Sequence, residues 1–514
     1  MYQSLRRSFI PERLLVNEEI SMSMEKSDNS LRKNRLGVLG IVFFVVAASA
    51  PLVGMTGAVP IAILAGNGAA APGAYLLVGL TLILFSVGFT AMTSKVTNAG
   101  AFFAYVGRGL GKNAGIGSAL VSIVGYVTIQ LAIYGFFGGL LQGQVEAEFG
   151  FALPWYLWAA IAWVVVTALS LLSVDVGAKV LGILMAVEVL SLLISGIAIL
   201  ANHSGEMNFA ASFSPENIFV GGFSGGAGIA IAFALASYIG FEATAIYGEE
   251  SIEPKRAVPR ATYWAIGTIT VLFTIVSFAM VTGLGSADVV NQVATISGGG
   301  ANPAAVLFAL VETNVGHWLV VIMEWLVVSS LFAGLLAFQN ANARYVFALG
   351  RSGVLPKSLG NTNKSGAPQG GVIVTSVLAA IVIILFAVQK LDPIMNLFFW
   401  MSAITAIAIM LVEFLVSAAV IRFFIQNPGT HWFKAIVAPA ISLLLLGVGE
   451  YLLMSRFNLL SGLSPSVEES GNAWAMTPLG WTLVLSPFVA LVVGVLWGAI
   501  NKNDDSKMSD DILS

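Results

Sequence analysis

Apolar stretches of about 20 residues recur from residue 37 to residue 500, each long enough to cross the ~30 Å hydrocarbon core of a bilayer as a helix. At that depth water cannot satisfy peptide groups, so each segment must close its own backbone hydrogen bonds. The fold class that follows is an all-α membrane protein built as a helix bundle. Composition agrees: 57% of residues are hydrophobic and 10% charged, where a soluble domain carries about 25% charged.

Hydropathy predicts twelve transmembrane helices, at roughly 37–65, 72–93, 114–142, 154–173, 176–201, 222–248, 262–285, 316–346, 371–389, 393–424, 433–454 and 478–499. The basic residues test this count independently. On this map 22 of the 24 Lys and Arg fall on one side, and only Lys390 and Arg456 on the other. By the positive-inside rule both termini are then cytoplasmic, in a multi-pass protein of the cytoplasmic (inner) membrane. The organisation expected is a polar segment 1–36, helices one to five over 37–201, six to ten over 222–424, eleven and twelve over 433–499, and a cytoplasmic tail 500–514. The first 36 residues lack the short apolar core and cleavage site of a signal peptide, and Met22 and Met24 are alternative starts.

Several function classes drop out. The net charge of −3 and the lack of a basic block beside aromatic residues argue against a nucleic-acid partner. With no cysteine, disulfides, thiolate metal sites and cysteine nucleophiles are excluded. His203, His317 and His431 each lie near a predicted helix end, which speaks against a zinc site or a histidine relay. No cofactor or metal is expected. A membrane-embedded enzyme would need a catalytic set and a channel a filter-like ring, and neither stands out.

Two predicted helices look interrupted. Residues 45–60, VVAASAPLVGMTGAVP, hold Pro51 and Gly54 in mid-span, and residues 234–244, ALASYIGFEAT, hold Gly240 and Glu242. The first break alone could be a simple proline kink. The two lie five spans apart, in the first and the sixth, and breaks at matching places in two halves point to an inverted-repeat transporter. Broken backbone survives at membrane depth only where it is buried in protein or lines a cavity. A half-helix ending near Ala48 would offer carbonyls, and one starting near Gly54 a positive dipole end. That pair of ends suits the ammonium and carboxylate of an amino acid.

At these residues the chain resembles the amino acid–polyamine–organocation (APC) superfamily of permeases. Residues 237–263, SYIGFEATAIYGEESIEPKRAVPRATY, resemble that family's sixth helix and following loop. Residues 98–111, NAGAFFAYVGRGLG, resemble the loop after helix two, and 338–356, FQNANARYVFALGRSGVLP, the inner end of helix eight. The first-helix signature departs: Ser49-Ala50-Pro51-Leu52 stands in place of a Gly/Ser-rich run. The resemblance implies a LeuT-type five-plus-five inverted repeat with two appended helices and discontinuous helices 1 and 6. It implies secondary transport of an amino acid, coupled to protons. An amine or polyamine importer, or an amino acid exchanger, is the alternative. The partners implied are a small-molecule substrate, protons and the lipid bilayer.

Candidate substrate-binding residues are Ser49, Ala50, Pro51, Leu52 and Gly54 at the first break, and Ser237, Ile239, Gly240 and Phe241 at the second. Phe241 is either an aromatic lid or lipid-facing packing. Ala236 stands where some exchangers of the family carry a bulky gate, so the pocket is roomier or the gate lies elsewhere. In the third span Tyr126, Gln130 and Tyr134 share one helix face. They either touch substrate or tie neighbouring helices together.

Acidic residues within spans are costly and commonly functional. Glu242, in the G-x-E of the sixth span, and Glu188, where many proton-dependent relatives place a lysine, are the proton-coupling candidates. Glu188 could equally be a buried carboxyl with a fixed hydrogen bond. Glu324, Glu413 and Glu450 are expected to make inter-helix bonds. Sodium coupling is disfavoured, because Phe332-Ala333 occupy the place of the related fold's hydroxyl pair, with Ser329 and Ser330 one turn away. The loop 249–260 is read as inner-gate ion pairs or as a solvated charged turn.

Overall fold

A computed structural model describes residues 37–93, 95, 102–172, 178–222, 225–242, 244 and 251–500. The expected segment 1–36, the tail beyond 500, residues 98–101 of the second motif and residues 249–250 of the charged loop lie outside the described residues. The described residues are helical, with no strand.

The first predicted span is two helical pieces: α1, Val38–Ser49, and α2, residues 51–67. Next come α3 (Ala71–Thr93), the short α4 (Phe102–Leu110), α5 (Lys112–Phe149), α6 (Trp155–Leu171) and α7 (Ala178–Asn202). The sixth predicted span gives α8, Ala227–Tyr238, which ends in mid-span. Then follow α9 (Pro254–Leu284), α10 (Val289–Ile296), α11 (Ala304–Asn314) and α12 (His317–Arg351). The chain finishes with α13 (Gln369–Val388), α14 (Phe399–Gln426, extended back to Pro393 by a π-turn), α15 (Ala438–Ser455) and α16 (Pro478–Ile500). Among the described residues nine helices are long and apolar enough to span a membrane, α2 and α3 being joined in one of them, and α6, α8 and α11 are shorter apolar helices.

Three differences from the sequence expectation have physical causes. The seventh span starts at Pro254, inside the supposed charged loop, because proline at the first helical position costs nothing: its missing N–H would be unpaired there anyway. In that loop the Arg256–Glu253 pair, at 3.5 Å, is local and exposed, and so contributes little. The helices α10 and α11, between spans seven and eight, were not anticipated; each is too short to stand out from its flanks by hydropathy. The third span runs to Phe149, so at 1.5 Å per residue the 38-residue α5 is about 57 Å long and overshoots the bilayer.

The core sits where α5, α8, α12 and α14 converge on α1 and α2. α14 packs along α5, α4 and α15, α12 packs on α5 and α13, and α9 packs on α3 and α7. Close approach depends on small residues. A methyl group at Gly54 would stand 3.3 Å from both Phe273 Cζ and Ser237 Oγ, so the first and sixth spans meet there.

Candidate functional site

The first break is a single residue wide. Ala50 adopts φ 42°, ψ 70°, a left-handed conformation that costs an L-residue roughly 1–2 kcal/mol. Its N–H still bonds Val46 O at 3.1 Å, closing α1, and its carbonyl accepts from Gly54 N–H at 3.1 Å. The new helix therefore begins at Pro51 rather than near Gly54, and the old one ends at Ser49, next to the expected Ala48. Proline needs no N–H partner at that position. Residues Gly54–Ala58 then form a π-turn, a distortion frequent at functional sites.

The second break follows Tyr238. Ile239 is extended (φ −57°, ψ 132°), and Gly240 takes φ 116°, open only to glycine at low cost. Glu242 Oε2 accepts the Gly240 N–H at 2.9 Å and so holds the unwound turn.

Between the two breaks lies a cavity. The first span contributes Ser49, Ala50, Val53, Gly54 and Ala58, and the sixth Phe233, Ala236 and Ser237. Ile129 and Ile133 of α5 close one side, and Leu331 and Phe338 of α12 another. Phe398 and Ser402 complete it. Among the described residues no charged side chain lines it. Its hydroxyls come from Ser49, Ser237 and Ser402; Ser49 Oγ donates to Val46 O at 2.9 Å, and Ser237 Oγ donates to Phe233 O at 2.8 Å while lying 3.2 Å from the Tyr75 hydroxyl.

Of the sequence-derived candidates, Ser49, Ala50, Gly54 and Ser237 line this cavity, and Pro51, Leu52, Tyr126, Gln130, Ile239, Gly240 and Phe241 do not. Phe241 is not a lid over it: the ring is buried edge-on to Phe85, 6.0 Å between centroids. Gln130 faces away, its Nε2 donating to Gln339 Oε1 at 2.6 Å and its Oε1 accepting from Asn342 Nδ2 at 2.9 Å. Tyr126 packs edge-on to Tyr345, and Tyr134 is fully buried. The cavity wall on α5 is instead the neighbouring apolar face, Ile129 and Ile133. Sequence reading missed those residues, with Phe233, Phe338 and Phe398, because apolar side chains in an apolar helix carry no signal. Ser402, a hydroxyl in an apolar stretch, was the one that could have been found.

Glu188, on α7, reaches the first break. Its Oε1 accepts the Leu52 N–H at 2.6 Å and the Ser330 hydroxyl at 3.1 Å, and the residue is 4% exposed. One carboxyl thus ties α2, α7 and α12 together at the discontinuity. Ser330 is engaged with Glu188, and Ser329 Oγ donates to Leu326 O. Glu413 and Glu450 do not make the expected inter-helix bonds; no donor among the described residues reaches either carboxyl group.

A family model described as amino acid permease matches residues 36–484. Among curated proteins, the branched-chain amino acid permease BcaP of Lactococcus lactis subsp. cremoris is 27% identical over 327 residues, 60% of this chain and 66% of that protein. The lysine-specific permease LysP of the same organism is 24% identical over 404 residues, 73% of this chain and 72% of that protein. The histidine permease HisP is 24% identical over 329 residues. The chain thus spans about two thirds of the length of these relatives, 66% and 64% for BcaP and HisP. Among solved structures, the Eremococcus coleocola manganese transporter, in complex with an aromatic bis-isothiourea substituted compound, superposes with a TM-score of 0.55 at 13% identity. That match covers 94% of this chain and 99% of the other.

Proposed function

Starting from the fact that the chain belongs to the amino acid permease family of the APC superfamily, we propose that it is a proton-coupled importer of amino acids with apolar side chains. It is a membrane-spanning transport protein and not an enzyme. In this reading it crosses the cytoplasmic membrane twelve times as two inverted five-helix repeats plus two helices, with both termini inside.

The observation that carries the reading is the composition of the cavity. The first break borders it and the sixth span adds Ser237, so ammonium and carboxylate groups can meet polar groups there, while the remaining walls are mostly Ile, Leu, Val, Ala and Phe. A side chain buried against them gains ~25 cal/mol per Å² of apolar surface. A lysine-like or polyamine substrate would bring a second cation into a wall with no carboxylate among the described residues. Glu242, which the amine alternative would place in the cavity, holds Gly240 instead. Among the relatives, the branched-chain permease therefore fits this cavity better than the lysine-specific one.

Coupling is assigned to Glu188. Its carboxyl grips the Leu52 N–H at the break, and a proton on it weakens a charge-assisted bond between three helices. The test is uptake of labelled leucine by the full chain in liposomes under imposed pH or sodium gradients. An inward proton gradient should drive accumulation, lysine should not compete, and Glu188→Gln should abolish gradient-driven accumulation while sparing leucine exchange. Lysine competing as well as leucine would reject the substrate class, and full accumulation by the variant would reject Glu188.

A further inference from the structure

A second hollow lies on the outer surface of the bundle, in the groove between α7 and α9. Val189 and Leu193 of α7 line it together with Trp264, Gly267, Thr268 and Val271 of α9. It measures about 630 Å³, within the roughly 300–1,000 Å³ span of ligand pockets. The groove exists because the two helices part. A methyl group at Gly283 would stand 2.8 Å from Ile199 Cγ2, and one at Gly196 would stand 3.6 Å from Val276 Cγ2, so α7 and α9 touch over their later turns. At Gly267 the same methyl group would meet nothing within 4 Å. Trp264, also in the wall, is 68% exposed.

One end of the groove is basic. With 31 residues α9 is about 46 Å long at 1.5 Å per residue, more than the ~30 Å hydrocarbon core. Its first two turns carry Lys255, Arg256 and Arg260, all exposed, and so stand at headgroup level. Arg260, Trp264, Gly267 and Val271 are spaced i, i+4, i+7 and i+11, along one face of the helix. Gly267 is thus about 10 Å deeper along the helix than Arg260. Arg256 lies one turn before Arg260; its pair with Glu253, at 3.5 Å, is exposed and weak enough to yield to another anion. The Tyr263 hydroxyl, 3.1 Å from Thr90 Oγ1, fixes this wall to α3.

We propose that this groove binds an anionic glycerophospholipid from the leaflet at the start of α9. One acyl chain lies over Gly267 between the two helices, and the phosphate and its anionic headgroup meet Arg260 and Arg256. Arginine suits that role, because its planar fork bonds phosphate oxygens in pairs. A zwitterionic lipid can fill the same apolar walls, but its ammonium group opposes the arginines. Headgroup charge therefore sets the preference, and the groove sets the position. None of these residues lines the cavity beside the helix breaks.

Native mass spectrometry of the full-length protein tests the site, with phosphatidylglycerol or phosphatidylethanolamine of the same acyl chains titrated in detergent. The first phosphatidylglycerol should bind about tenfold more tightly than the first phosphatidylethanolamine. Arg256→Gln/Arg260→Gln should erase that preference, and Gly267→Leu should weaken the first adduct of either lipid at least about fivefold. Leucine enters open space at that position and favours a helix more than glycine does, so the loss is one of binding and not of fold. Equal binding of the two lipids, or a preference that survives without both arginines, overturns the proposal. Unchanged binding to Gly267→Leu also overturns it, leaving a basic surface patch and no groove. Should Gly267→Leu fail to fold, fluorescence quenching by phosphatidylglycerol with brominated chains decides: Trp264→Phe should lose a quenched component that the parent shows, and identical quenching is the refuting result. Binding needs no substrate, so a protein that takes up no leucine would defeat the carrier reading while leaving this test intact.

Discussion

Ala50 shows how one residue can stop a helix without a glycine. Its left-handed backbone closes α1 by a normal bond to Val46 and hands the chain to Pro51, which needs no partner. The strain of an alanine there persists because the surrounding helices over-determine it. Ala50→Gly should therefore raise stability by about 1 kcal/mol, less the extra freedom it gives the unfolded chain. Thermal unfolding of the purified variant checks this; a lower midpoint would mean that the methyl group packs usefully against the cavity. Glycine and proline made this break and the one at Gly240 legible in the sequence. That Ala50 would be the residue taking positive φ was not legible, since nothing local marks it.

At the scale of helices, polar residues on α5, α12 and α13 act as a staple. Gln339 Nε2 lies 2.9 Å from Thr375 Oγ1 and 3.1 Å from Val372 O, while its Oε1 receives Gln130. Asn342 adds a bond to Tyr126 O at 3.0 Å. This lattice explains why Gln130 does not reach the cavity: its amide nitrogen and oxygen are both engaged in holding helices in register. Gln339→Leu should cost about 1–2 kcal/mol by leaving the Gln130 Nε2 donor without its acceptor, and the double change Gln130→Leu/Gln339→Leu should cost less than the sum. Thermal shifts of the three variants measure it, with strict additivity the contrary result. The polar stripe on the third span was visible from its spacing, but its direction was not. A four-residue period places Tyr126 and Gln130 on one face without saying which neighbour that face meets. Apolar spans were similarly plain, whereas α10 and α11 were hidden by their shortness, and the aromatic wall from α8, α12 and α14 by its ordinary composition.

For the molecule as a whole, orientation is the property most exposed to a direct check. Lys390 lies just past the end of α13, and Lys357 in the connection leading into that helix from α12. The chain has no cysteine, so single substitutions can be labelled on an otherwise silent background. In intact cells Lys390→Cys should react with an impermeant maleimide and Lys357→Cys should not; the reverse pattern would invert the topology.

The uncharged wall between Ser49 and Ser402 has an electrical corollary. A zwitterion entering it adds no net charge, so the loaded and empty forms would respond alike to membrane voltage. If uptake is proton-coupled as proposed, its voltage sensitivity comes from protons on the buried acids, at about 2.3 kcal/mol per elementary charge for each 100 mV crossed. The interior-negative potential of a living cell would power accumulation only to the extent that those protons travel.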